Sequence, residues 1–140
     1  MALEFFATLC AGLFAGASIY INVAEHPARM QCGTALAATE FGPSYKRAAA
    51  MQAPLAAFGG IAAVATWAFG SGIAWLLGGL LLAAIVPFTM IVIMPTNKQL
   101  LDPTLDKDSE LANTLLTRWN QLHAVRSALS TIAFCIFLLY

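Results

Sequence analysis

The apolar run at the start of the chain ends in a group of polar side chains that are suited to proton transfer. Asn22, Glu25 and His26 stand at i, i+3 and i+4 within "INVAEHPARM", residues 21–30, so on a helix they share one face. Histidine exchanges a proton near neutral pH and can act as a general base. One of the chain's two histidines therefore stands beside a carboxylate that could orient it.

A second polar group occurs near the end of the chain. Trp119, His123 and Arg126 are successive neighbours on a predicted last helix. The topology puts both groups at one membrane depth, so we expect His26 and His123 to meet at one interface in a pocket on the cytoplasmic side. Glu25 is expected to pair with Arg126 and to hold an imidazole in a defined orientation. The predicted catalytic residues are His123, His26, Glu25 and Arg126.

Further polar residues near helix ends could complete a pocket around these groups, with Thr89 nearby. The predicted substrate-binding residues are Trp119, Asn97, Tyr45, Gln52 and Asn22. A simpler alternative is that Trp119 and Tyr45 only anchor their helices in the headgroup zone, where aromatic residues are enriched.

The elements that must position these residues are transmembrane helices. Of the 140 residues, 60% are hydrophobic and 10% are charged, and a spanning helix needs roughly 20 mainly apolar residues. Four segments meet or approach that length: residues 3–24, 49–69, 73–94 and 124–140. They predict an all-α membrane protein, a single domain over residues 1–140 that forms a four-transmembrane-helix bundle. The first segment carries Glu4 and no Lys or Arg, so we expect no cleavable signal.

The charges predict an orientation. All seven basic residues fall in or beside the first and third connections: Arg29, Lys46, Arg47, Lys98, Lys107, Arg118 and Arg126. By the positive-inside rule, we expect a multi-pass protein of the inner (cytoplasmic) membrane, with both termini outside and these two connections cytoplasmic.

The two connections carry different predicted structures. In the first, we expect a short interfacial helix from Pro27 that ends at Gly42 and Pro43, with Ser44 as N-cap of the second span. After the third connection, the sequence contains no Gly or Pro from Ser109 onward. A single last helix should therefore begin near Ser109 and extend into the cytoplasm. Its apolar stripe should cover the first connection; the stripe comprises Leu111, Leu115, Trp119 and Leu122.

Small residues predict close helix packing. Gly12 and Gly16 form a GxxxG step in the first span, and Ala56 and Gly60 repeat the spacing in the second. These faces either pack within the bundle or form the seam of a homodimer.

No motif supports a resident cofactor, and we expect none. A metal or a haem held by His26 and His123 is a minority alternative, because no metal-binding spacing is present. The three cysteines lack a CxxC pair; Cys10 and Cys135 are expected in the core and Cys32 in a polar connection. The chain has no phosphate loop and no basic run for nucleic acid, and no charge in the middle of a span to carry protons.

Four short motifs occur in order along nearly the whole chain. They are "EHPA" at 25–28, Y-K-R-A-x-x-x-Q-A-P at 45–54, P-x-N-x-x-L at 95–100 and W-x-x-x-H-x-x-R at 119–126. The set resembles the anthrone oxygenase-like family of small four-helix membrane proteins, most of which are catalogued only as a domain of unknown function.

The resemblance implies oxidation of a polycyclic anthrone to an anthraquinone by molecular oxygen as co-substrate, without added metal or flavin. A base, His123 or His26, would remove the benzylic proton. Arg126, Asn97 or Tyr45 would stabilise the oxyanion, and Trp119 would stack on the flat substrate. The expected partners are membrane lipid and a lipophilic small molecule. The alternatives are a non-catalytic membrane protein that binds a lipophilic ligand or a partner and, third, a metal- or haem-binding redox protein.

Overall fold

Four long helices make up the computed structural model, which describes all 140 residues. They are α1 (Ala2–Gln31), α2 (Thr34–Ala68), α3 (Ile73–Leu100) and α4 (Glu110–Leu139). Each helix is long and apolar enough to cross a membrane, and no strand is present. The predicted all-helical four-helix bundle is confirmed, and the chain is a multi-pass membrane protein.

The outer surface of the bundle is apolar. Only 37 of the 140 residues are buried, and large hydrophobic side chains are exposed on every helix. Examples are Phe5, Ile61, Ile91 and Ile132, which are exposed by 70%, 66%, 73% and 51%. An apolar surface of this extent is suited to contact with lipid chains rather than water.

Helices α1 and α3 share an irregularity. Each contains one π-helical segment, Ile21–Glu25 in α1 and Thr89–Ile93 in α3, and a proline follows two residues later, Pro27 or Pro95. Proline has no N–H to donate to the carbonyl four residues earlier, and that carbonyl, of Val23 or Ile91, lies within the π-helical segment in each case. Both helices continue beyond these prolines.

The prediction of a separate interfacial helix between the first two spans is wrong. α1 runs through Pro27 to Gln31, and the chain reverses at Cys32 and Gly33, where Gly33 has a φ of 94°. α2 begins immediately afterwards, so the first connection is a tight turn.

The predicted break at Gly42 and Pro43 is also wrong. α2 is continuous through both residues, and Ser44 is therefore not an N-cap. The cause is tertiary packing: Phe41 is fully buried, and its ring meets the edge of Trp119 with centroids 5.2 Å apart. Burial of this aromatic pair offsets the helix-breaking cost of an interior proline, about 3 kcal/mol.

α4 begins where the sequence predicts. The hydroxyl of Ser109 accepts a hydrogen bond from the backbone N–H of Ala112 at 3.1 Å, which caps the helix. Leu115 and Trp119 are buried, as the predicted stripe requires, but Leu111 is 55% exposed and lies outside that packing.

The interior has three layers. One apolar cluster holds Phe14, Leu82, Ile85 and Phe137, and a second holds Ile21, Phe41, Ile93, Leu116 and Trp119. On every helix, polar residues stand where one cluster gives way to the other: Ser18 and Asn22 in α1, Gln52 in α2, Thr89 in α3, and His123, Arg126 and Ser127 in α4. The fold therefore places a polar layer between the two apolar clusters, and further buried polar residues, among them Thr66, Thr96 and Asn97, lie outside it.

Small residues bring α2 and α3 into close contact. A Cβ on either Gly60 or Gly79 would lie 3.3 Å from the other residue's carbonyl oxygen, so α2 and α3 touch through their backbones. Ala56 is buried, and the small-residue face of α2 is thus used inside the bundle. In α1, Gly12 faces Phe134 of α4, whereas nothing lies within 4 Å of a Cβ on Gly16.

The burial of one of the three cysteines differs from the prediction. Cys10 is buried and Cys32 is exposed, as expected, but Cys135 is exposed on the outside of α4 rather than in the core.

Candidate functional site

A cavity of about 150 Å³ lies at the polar layer. All four helices contribute to its 19 lining residues, of which 13 are hydrophobic. The polar and aromatic members include Arg29, Ser44, Tyr45, Gln52, Thr89, Trp119, His123 and Arg126. An apolar chamber with a few convergent polar groups is the usual composition of a small-molecule site.

Both histidines pack against Trp119. Its ring centroid lies 4.7 Å from that of His123, in a stacked arrangement, and 5.6 Å from that of His26. All three side chains are at least 95% buried. His123 and Trp119 line the cavity, whereas His26 lies behind the wall, next to Trp119.

The orientation of His123 is set by Asn22. The Nδ2 of Asn22 donates to the backbone carbonyl of Asn120 at 3.1 Å and to its side-chain oxygen at 2.7 Å. A backbone carbonyl can only accept, so the amide oxygen of Asn22 must face His123, whose Nδ1 lies 2.9 Å away. His123 Nδ1 is therefore the donor, and Nε2 is left with an unshared lone pair. Ser127 also donates to the same Asn22 oxygen, at 2.6 Å.

Arg126 fixes the amide of Gln52 in the same way. Its guanidinium donates to Gln52 Oε1 at 2.8 Å and lies over the ring of Phe14, 5.3 Å from the centroid. Because Arg126 has only donors, Gln52 must present its oxygen to it and its Nε2 elsewhere. That Nε2 has no partner, although Gln52 is 1% exposed.

Two more polar groups complete the lining. The hydroxyl of Thr89 is buried without a partner, and the hydroxyl of Tyr45 contacts the sulfur of Met94 at 3.9 Å. A buried polar group without a partner costs free energy, and Thr89 and Gln52 each bring an unpaired donor to the lining of the cavity.

The predicted ion pair between Glu25 and Arg126 is wrong. Glu25 pairs with Arg29, one turn further along α1, and accepts a hydrogen bond from Ser44 of α2. Arg29 also lies 2.9 Å from a carboxylate oxygen of Glu40. The network ties α1 to α2 rather than α1 to α4, because Arg29 has the shorter reach to Glu25 on the same helix face.

This network also places a charge against the cavity. Arg29 is 5% exposed, lines the chamber, and lies 5.9 Å from the centroid of the Trp119 ring. Arg29 and Ser44 are thus cavity residues in addition to those predicted from the sequence. The i, i+4 spacing of Glu25 and Arg29 was the available signal.

The chain matches a known protein family over most of its length. The family model described as "Anthrone oxygenase" matches residues 41–136. The chain belongs to the anthrone oxygenase family. No curated protein and no solved structure matches it.

The family match covers most of the cavity wall. It runs from Phe41 in α2 through α3 and most of α4, so it includes three of the four motifs. The "EHPA" motif, and with it Glu25 and His26, lies outside the matched residues. Within the anthrone oxygenase family match, His123, Arg126, Gln52, Tyr45 and Trp119 all line the cavity.

Four of the predicted site residues do not line the chamber: His26, Asn97, Asn22 and Glu25. Asn97 is 1% exposed, and neither its amide oxygen nor its amide nitrogen has a partner. Asn22 contacts His123 from behind, and Glu25 belongs to the Arg29 network. Among the side chains that commonly bind metals, His, Cys, Asp and Glu, no group of three or more is placed to hold an ion.

Proposed function

We propose that this member of the anthrone oxygenase family is a cofactor-independent oxygenase that oxidises a lipophilic, polycyclic, anthrone-like ketone, with His123 as the general base. The observation that carries the proposal is the lone pair on Nε2 of His123, which the Asn22 hydrogen bond leaves available beside an apolar cavity. A general base must reach the proton that it removes, and His123 is the histidine that lines the chamber.

The chemistry needs no electron carrier besides oxygen. Nε2 removes one benzylic proton of the anthrone, and the electron pair delocalises onto the ketone oxygen. The carbanion reacts with O₂ at the benzylic carbon, and a proton completes the hydroperoxide. Loss of the remaining benzylic hydrogen as a proton, with cleavage of the O–O bond, gives the quinone carbonyl and water. One anthrone and one O₂ therefore become one anthraquinone and one H₂O.

The developing oxyanion would be stabilised by donors that the cavity already holds. The Nε2 of Gln52 and the hydroxyl of Thr89 lack partners, and the guanidinium of Arg126 lies next to Gln52. Donors aimed at developing charge in a dry site are a major source of catalysis. The hydrogen bond between Arg126 and Gln52 holds both of these side chains in place, so they need little reorganisation.

The aromatic lining would orient a flat substrate. Trp119, Phe41 and Phe14 all face the chamber, and aromatic rings prefer offset-stacked or edge-on contacts with other rings. The proposed pose puts the substrate's planar system against these rings and its ketone toward Gln52 and Arg126.

Oxygen uptake in the presence of anthrone tests the proposal. Purified protein in lipid nanodiscs should consume one O₂ per anthrone and form anthraquinone, and His123→Ala should lower the rate by about 100-fold or more. His26→Ala is the matched control, because His26 does not line the cavity. Equal rates for wild type and His123→Ala would remove His123 from the mechanism. Saturable binding of anthrone without uptake would favour a ligand-binding role, and a visible absorption band or stoichiometric metal would favour a redox centre.

A further inference from the structure

The cavity has an opening on one side of the bundle. Most of its lining residues are buried or half-buried, and three are exposed: Ala53 in α2, and Val86 and Met90 in α3. Met90 is 59% exposed and Val86 is 40% exposed. None of the lining residues from α1 or α4 is exposed. The chamber therefore opens between α2 and α3.

The opening lies at the depth of the lipid chains. Val86 stands 13 residues from Ile73 and 14 residues from Leu100, which places it roughly 20 Å from either end of α3 at 1.5 Å per residue. A helix crosses a hydrocarbon core of about 30 Å, so the middle of α3 lies within the apolar part of the bilayer. Water and charged solutes are scarce at this depth.

An apolar groove leads to the opening from outside. It has a volume of about 480 Å³, lies between α2 and α3, and is lined by Gly60, Ile61, Val64 and Val86 among others. Val86 belongs to both the groove and the cavity. Gly60 of the groove is in close backbone contact with Gly79 of α3.

The end of the cavity nearer the first connection is held by charged groups. Arg29 lines the chamber there and is bound to Glu25, Glu40 and Ser44. Entry at that end would require these ion pairs to part, whereas entry between α2 and α3 requires only apolar side chains to move.

We propose that the ligand enters and leaves the cavity sideways, from the lipid, through a doorway formed by Ala53, Val86 and Met90. The occupant is a flat aromatic ketone dissolved in the membrane: the doorway selects for lipid solubility, and the unpartnered donors of Gln52 and Thr89 select for an acceptor oxygen. The identity of the ligand rests on the proposed function, and the route rests on the geometry alone.

The test measures the rate of ligand entry separately from turnover. Protein in nanodiscs is mixed with vesicles that carry 9,10-anthraquinone, and quenching of tryptophan fluorescence is followed in time. Ala53→Phe places a ring in the doorway and should slow association by about tenfold or more, with a similar slowing of dissociation, so that the Kd changes little. Met90→Ala removes bulk from the doorway and should speed association.

Ala128→Phe is the matched control. Ala128 is exposed on α4 and lines neither the cavity nor the groove. The ligand should therefore associate with Ala128→Phe at the wild-type rate. If ligand associates with both Ala53→Phe and Met90→Ala at the wild-type rate, the doorway is overturned. If Ala53→Phe fails to fold, the association rate of Met90→Ala decides the question. Slowing by Ser44→Phe but not by Ala53→Phe would assign entry to the charged end instead.

The two proposals fail separately. If Ala53→Phe slows the quenching but the wild-type protein consumes no oxygen with anthrone, the doorway is supported and the oxygenase is excluded. Oxygen uptake with unaltered entry rates in both doorway variants would support the oxygenase and exclude the doorway.

Discussion

His123 and Asn22 are joined by a hydrogen bond of 2.9 Å between Nδ1 and Oδ1, across the contact of α4 with α1. The amide is oriented from its other end by the backbone carbonyl of Asn120. Two residues that are 101 positions apart thus determine which nitrogen of the imidazole carries the proton. The first and last helices must pack together for this tautomer to be selected.

The first prediction concerns this hydrogen bond. Asn22→Ala should lower kcat with anthrone by about 100-fold, because an imidazole that is free to rotate or change tautomer loses its alignment with the substrate. KM should change little, since Asn22 does not line the cavity. Nitrogen-15 NMR of labelled histidine should show the Nδ1–H form of His123 in wild type and a mixture of forms in the variant.

Asn120→Ala is the control for that experiment. It removes only the side-chain acceptor and leaves the backbone carbonyl that orients Asn22, so both kcat and the tautomer should be close to wild type. An Asn22→Ala protein with unchanged kcat would show that the hydrogen bond has no role in positioning the base.

The second prediction concerns the free amide of Gln52. Gln52→Glu keeps the shape and retains an acceptor for Arg126, but it removes the unpartnered donor. Loss of one hydrogen bond to the ligand, about 1 kcal/mol, should raise the Kd for 9,10-anthraquinone by roughly fivefold. Equilibrium quenching of tryptophan fluorescence measures the change. Gln99→Glu, at an exposed residue of α3, should leave the Kd unchanged.

Much of the fold could be predicted from the sequence because the bilayer imposes strong constraints. A spanning segment must be a long apolar helix, so hydropathy finds all four spans. The Ser109 cap could also be predicted, because the residue lies within four positions of the group that it bonds. Helical spacing likewise brings His123 and Trp119 to one face, and their rings do stack.

The wrong predictions concern features that depend on contacts between residues far apart in the sequence. Gly42 and Pro43 are local signals for a break, and the packing of Phe41 on Trp119, 78 residues later, overrides them. Hydrophobicity cannot tell a core position from a lipid-facing one, which is why Cys135 was expected inside. The two amide orientations could not be predicted, because each depends on a group in another helix.

The third prediction concerns the partner of Glu25. In a double-mutant cycle, Glu25→Ala and Arg29→Ala should show a coupling of about 0.5 to 3 kcal/mol in the free energy of unfolding, as expected for residues in direct contact. Glu25→Ala and Arg126→Ala should be additive within about 0.5 kcal/mol, because they share no partner. Unfolding by sodium dodecyl sulfate in mixed micelles gives these free energies. Coupling of Glu25 with Arg126 instead would contradict the observed network.

The last prediction concerns orientation in the membrane, which the asymmetric placement of basic residues indicates. Cys32 is exposed in the turn after α1, and this turn should face the cytoplasm. In right-side-out vesicles that carry a protein with alanine at positions 10 and 135, a membrane-impermeant maleimide should label Cys32 only after the vesicles are opened. A cysteine introduced by Ser71→Cys, in the turn between α2 and α3 on the opposite side of the bundle, should be labelled in intact vesicles. Labelling of Cys32 in intact vesicles, with Ser71→Cys protected, would place the charged end of the cavity outside the cell.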